Sequence, residues 1–214
     1  MSTPTTPPLL RGWLHLGTAP VALIAGSALV ILAPTLQARF TIAIFTLSAV
    51  ALFSISATYH TVNWTPSVKR ALRRIDHANI FLIIAGTYTP LTVIWLDTDT
   101  ARLLLGLVWG GSILGLFFRV FWLTAPRWLY VPIYIALGWA ALLYLPDFYQ
   151  AAGLLIVSLI LAGGVLYSLG AVIYALKKPN FSQKYFGFHE LFHSFTIAAF
   201  ICHYLAIAIT VAKL

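Results

Sequence analysis

His189 and His193 stand four residues apart in the run His189-Glu190-Leu191-Phe192-His193. On a helix that spacing stacks two imidazoles on one face, one turn apart, within reach of a single metal ion. It is the spacing of a zinc-binding helix, with Glu190 in the place of a general base. The residues that follow, Ser194 to Val211, are apolar enough to lie in a bilayer, where ionisable groups are expensive and usually mark function. His60, with Ser56 one turn before it, and Asp76, next to His77, carry compatible chemistry elsewhere in the chain. Whether these groups meet depends on the elements that hold them.

The 214 residues are 61% hydrophobic and 8% charged, with a mean hydropathy of +0.93. A soluble domain carries about a quarter charged residues, so the composition is that of an integral membrane protein. A net charge of +8 would suit nucleic acid. The basic residues, however, sit in short gaps between apolar runs, as topology signals do, and nucleic-acid binding is disfavoured. One cysteine, Cys202, lies inside an apolar run, which leaves no disulfide framework and no thiolate metal cluster. The Pro/Thr-rich start lacks the basic n-region of a signal peptide. It is expected to be a short disordered tail, residues 1–12, ahead of a single membrane domain, residues 13–214.

Runs of about 20 apolar residues cross a bilayer. Seven are expected, making an all-α bundle: Trp13–Ala33, Phe40–Tyr59, Ala78–Leu96, Leu103–Trp122, Trp128–Leu145, Ala151–Leu176 and Phe188–Val211. Pro20, Pro90 and Pro132 fall inside spans, where neighbouring helices can satisfy the freed backbone groups. Gly106, Gly110, Gly111 and Gly115 form two small-xxx-small patterns suited to close helix contact, and Gly163, Gly164 and Gly170 suggest the same. With a cytoplasmic N-terminus, ten Lys and Arg residues fall in inside segments and three in outside segments. The positive-inside rule therefore orients the N-terminus inward and the C-terminus outward.

That topology brings His60, Asp76, His77, His189 and His193 to one leaflet, from three helices. Shared depth raises His60 to the third ligand beside His189 and His193. Asp76 has two readings: a partner of the site, or an ion pair with Arg73 or Arg74. Ser56 could hold a water at the metal or fix an imidazole. His15 shares the depth and reads as structural. His77 points about 100° away from Asp76 around the helix. His203, roughly 15 Å along the helix from His193, reads as a buried, hydrogen-bonded histidine. Glu190 is either a base or a stabiliser of its helix N-terminus.

The stretches Ser56-Ala-Thr-Tyr-His60, Arg74-Ile-Asp76-His77, Ala85-Gly-Thr-Tyr-Thr-Pro90 and His189-Glu-Leu-Phe-His193 resemble the hemolysin III family. That family lies within the progestin and adipoQ receptor superfamily and is more distantly similar to alkaline ceramidases. The resemblance covers nearly the whole chain. It implies Zn2+ held by His60, His189 and His193, with Asp76 reaching it through a water and Ser56 adjacent. The family's eukaryotic receptors do not generally keep a glutamate after the first histidine of the pair, which counts against Glu190 as base. The compact chain points to a bacterial inner membrane.

Site chemistry and resemblance together lead to a zinc-dependent hydrolase of a ceramide-like lipid amide at the cytoplasmic leaflet. Asp76 would serve as base and Ser56 would orient water or stabilise the oxyanion. Membrane lipids are the expected partners, and homo-oligomer formation stays open. A non-enzymatic, zinc-stabilised protein responsive to lipid is the alternative. Pore formation finds little support, since no helix carries a regular polar stripe. An intramembrane protease fits poorly, because its third ligand would be expected inside a span.

Overall fold

The computed structural model describes residues 8–182 and 184–214. Each apolar run is helical: α1 (Trp13–Leu32), α2 (Leu36–Thr61), α3 (Pro66–Trp95), α4 (Thr98–Phe121), α5 (Arg127–Gly138), α6 (Leu145–Ala152), α7 (Leu154–Leu176) and α8 (Phe188–Lys213). α5 and α6, with a 3₁₀ turn at Ala140–Tyr144 between them, make up the fifth of seven spans. The chain is a multi-pass membrane protein. Consecutive helices α1 to α4 pack as neighbours, α7 pairs with α8, and α8 closes on α1, α2 and α3.

Its surface is inverted relative to a soluble protein. Ile24, Ile31, Leu114 and Leu154 are among many large apolar side chains left exposed on α1, α4 and α7. In a bilayer those faces meet hydrocarbon. Phe45, Phe53 and Phe81 fill the interior at α2 and α3.

Several helices run further than the apolar pattern indicates, α2 and α3 among them. α2 starts at Leu36 because Thr35 caps it, accepting from the Ala38 N–H at 3.1 Å. α3 starts at Pro66, where a missing N–H does no harm in the first turn. The basic run Lys69–Arg74 is therefore not a loop. It forms exposed opening turns of α3, ahead of the apolar part.

The fifth span is discontinuous. Pro20, Pro90 and Pro132 all lie inside helices, yet the break falls at Gly138, beyond Pro132. Its freed backbone groups are taken up by one side chain. The Tyr88 hydroxyl donates to the Gly138 carbonyl at 2.7 Å and accepts from the Ala141 N–H at 2.8 Å. Glycine contacts also differ from the pattern. Gly111 abuts Leu137, Gly115 abuts Phe81 and Gly163 lies under the His203 ring. Gly106 and Gly110 face open space, so the first small-xxx-small pattern makes no close helix contact.

Of the stretch expected to be a tail, residues 1–7 lie outside the described residues. From Pro8 the chain packs on the bundle, with the Leu9 N–H donating to the Lys184 carbonyl at 2.9 Å. Gly12 has φ +86°, and a Cβ there would lie 2.7 Å from the His60 Cβ. Both conformation and space require glycine at this position.

The Tyr88 contacts yield a prediction. Tyr88→Phe leaves the Ala141 N–H unpaired in an apolar setting and should lower stability by about 1–3 kcal/mol. Thermal unfolding of purified protein measures this. An unchanged midpoint would mean the break does not depend on that hydroxyl.

Candidate metal centre

Two helices deliver the histidine cluster. His60 comes from the last turn of α2, and His189 and His193 from the first turns of α8. Their ligand atoms all lie within 4.8 Å of one another. The Nε2 atoms of His60 and His189 are 3.2 Å apart. Two nitrogens at about 2.0–2.1 Å from a tetrahedral zinc are separated by about 3.3–3.4 Å, so this spacing fits a shared ion. His193 Nδ1 is buried without a hydrogen-bond partner among the described residues. An all-imidazole set of this kind suits zinc.

The surrounding packing fixes the ring orientations. His15 is 2% exposed and stacks on His193, with centroids 3.8 Å apart and planes 12° apart. Phe53 meets the His15 ring edge-on at 5.1 Å. His15 thus backs His193 and does not join the three-ligand group. Tyr174 and Phe192 flank His189, and Tyr59 lies against His60. Gly12 lets the N-terminal segment close directly over His60.

Asp76 and Ser56 share a cavity with His189 and His193. The cavity measures about 140 Å³ and is mostly apolar. It extends through the bundle past the fifth-span break to Tyr167 and His203. Ser56 is buried and lines the cavity together with Asp76. Among the described residues, the ion pairs within 4.0 Å are Arg11–Glu190 and Arg102–Asp99, so Asp76 has no direct pair with Arg73 or Arg74. His77 lines the same cavity as Asp76 despite its angular offset on α3.

Glu190 is engaged elsewhere. It is fully buried, its Oε2 accepts from the Gly187 N–H at 2.8 Å, and its Oε1 pairs with Arg11 at 2.5 Å. It stabilises the start of α8 and ties the N-terminal segment to it. His203 is buried, as expected, against Tyr167 and over Gly163. Its Nδ1 has no hydrogen-bond partner among the described residues.

Sequence reasoning missed three features. Arg119, counted as a topology charge, is buried and contacts His77 Nδ1. Arg11, counted likewise, holds Glu190. Tyr174 shields the His189 side of the cluster. None carries a spacing signal, because each acts on a partner far away in sequence.

A seven-span helical membrane protein with a partly buried three-histidine cluster at one end is the class that fold and site define. The chain matches the family described as Haemolysin-III related over residues 4–204, and it belongs to that family. It is 30% identical over 163 residues to Hemolysin-3 of Bacillus cereus, covering 76% of this chain and 71% of that one. It is 31% identical over 163 residues to the Hemolysin-3 homolog of Bacillus subtilis (strain 168), covering 74% and 73% respectively.

The engagement of Glu190 predicts the outcome of its removal. Glu190→Gln strands Arg11 and should destabilise the fold by about 2–3 kcal/mol, below the full range for buried pairs because Arg11 keeps some solvent contact. Metal content should be unchanged. Normal stability with abolished catalysis would instead restore Glu190 as a base.

Proposed function

We propose that this protein is a zinc-dependent hydrolase of a membrane lipid amide, ceramidase-like in its chemistry. The observation that carries it is the opening of the histidine cluster onto the same apolar cavity as Asp76 and Ser56. Such a cavity suits an acyl chain, with the amide placed at its polar end. His60, His189 and His193 would hold zinc. Bound there, the ion would supply Lewis-acid polarisation of the scissile carbonyl and lower the pKa of a coordinated water to about 7.

The remaining chemistry belongs to this chain's side chains. Asp76 accepts a proton from the attacking water and returns it to the amine as the C–N bond breaks. Ser56 orients the carboxyl or donates to the developing oxyanion. The apolar wall excludes bulk water from the reacting end. His15 keeps the His193 ring from turning away. The uneven distribution of Lys and Arg supports a cytoplasmic N-terminus and an inner-membrane location, with the site at the inner leaflet. The exposed Lys69–Arg74 turns would then attract anionic headgroups.

The relatives' names indicate hemolysis, but a mostly apolar internal cavity favours a lipid chain over an aqueous pore. Metal analysis of purified protein should give about one zinc per chain, lost in His189→Ala and His193→Ala. Incubation with a lipid-amide panel, read by mass spectrometry, should show turnover that falls at least about 100-fold in Asp76→Asn. Zinc should remain in that variant. Unchanged turnover would remove Asp76 as the base. Bound lipid without turnover by wild type would favour the non-enzymatic, lipid-responsive alternative.

A further inference from the structure

A guanidinium without a carboxylate is buried in the last turn of α4. Arg119 is 0% exposed, and neither ion pair among the described residues includes it. Its Cζ lies 4.1 Å from the centroid of the Tyr130 ring, a cation–π contact. Nη1 donates to the Trp122 carbonyl at 3.1 Å, at the C-terminal end of α4 where carbonyls lack helical partners. Nη2 meets His77 Nδ1 at 2.5 Å.

That last contact fixes a proton. Arginine is donor-only and stays charged in proteins. His77 Nδ1 must therefore present its lone pair, and the single proton of the neutral ring resides on Nε2. A second proton would point directly at the guanidinium. The backbone is held too, since the Tyr134 hydroxyl donates to the His77 carbonyl at 3.0 Å. Sequence neighbours thus carry opposite chemistry on one cavity. Asp76 presents a proton acceptor, and His77 presents a donor.

The ring lines the cavity, and no acceptor for its Nε2–H is found among the described residues. Tyr174 lies at 6.5 Å from the His77 centroid and 5.7 Å from that of His189. One aromatic ring therefore separates His77 from the metal cluster.

We propose that His77, locked by Arg119 as the Nε2–H tautomer, binds an acceptor oxygen of the ligand that occupies this cavity. The ligand oxygen is a carbonyl, carboxylate or phosphoryl group, adjacent to the atoms at the histidine cluster and distinct from them. The proposal rests on the lipid-binding part of the proposed function and needs no turnover. A cationic side chain behind the donor strengthens it toward electron-rich oxygen and disfavours ammonium headgroups.

Two measurements test it. In ¹⁵N-histidine-labelled protein in nanodiscs, the signals lost in His77→Gln should report an unprotonated Nδ1 and a protonated Nε2. Arg119→Leu should abolish that preference. An Nδ1–H tautomer or an imidazolium at His77 would overturn the proposal. Oleate binding should weaken about tenfold in His77→Leu, consistent with one hydrogen bond to a charged group. It should stay near wild type in His77→Gln, which keeps an N–H donor. Equal oleate affinity in wild type and a folded, zinc-loaded His77→Leu would also overturn it. Neither readout depends on hydrolysis, so absence of lipid-amide turnover leaves this outcome separate.

Discussion

Hydrocarbon offers no hydrogen bonds, so each polar side chain within the span must find its partner in protein or ligand. The first turns of α8 show what this constraint builds. Glu190 is buried and receives the Gly187 N–H and the Arg11 side chain, which pins the N-terminal segment across the bundle end. With that segment seated, Gly12 lies over His60, and His15 stacks on His193. The arrangement of the three histidines thus depends on an ion pair outside their own group.

The same constraint explains the pairing of neighbouring residues on α3. Asp76 and His77 both border the cavity: Ser56 of α2 borders it beside the carboxyl, and Arg119 of α4 meets the imidazole. Around the break in the fifth span, Tyr88 performs an analogous task for main-chain groups. Buried polar atoms without a partner among the described residues, including Tyr167 Oη and His203 Nδ1, gather on this cavity. An interior so arranged is mostly apolar, with its polar groups gathered at the histidine end and around Tyr167 and His203.

Much of this was legible in the sequence, for physical reasons. Hydropathy reports burial in lipid directly, so all seven spans emerge, with most of their bounds within a few residues. Helical spacing pairs His189 with His193, and depth in the membrane adds His60, Ser56 and Asp76, because a span ties position to leaflet. What escaped depends on partners distant in the chain. Glu190 meets Arg11 across 179 positions, and Arg119 meets His77 across 42. Both arginines looked like topology charges because composition cannot separate a snorkelling cation from a buried one. The fifth-span break was hidden because Trp139 to Leu145 is as apolar as any continuous helix. The start of α3 at Pro66 was hidden because its first turns are exposed and basic.

The account stands on one shared ion between α2 and α8. Zinc K-edge X-ray absorption on the purified, membrane-reconstituted protein tests this most directly. It predicts three imidazole nitrogens at about 2.0–2.1 Å with an oxygen completing the shell, and loss of one imidazole in His60→Ala. A shell containing sulfur, or one unaltered by His60→Ala, would contradict it.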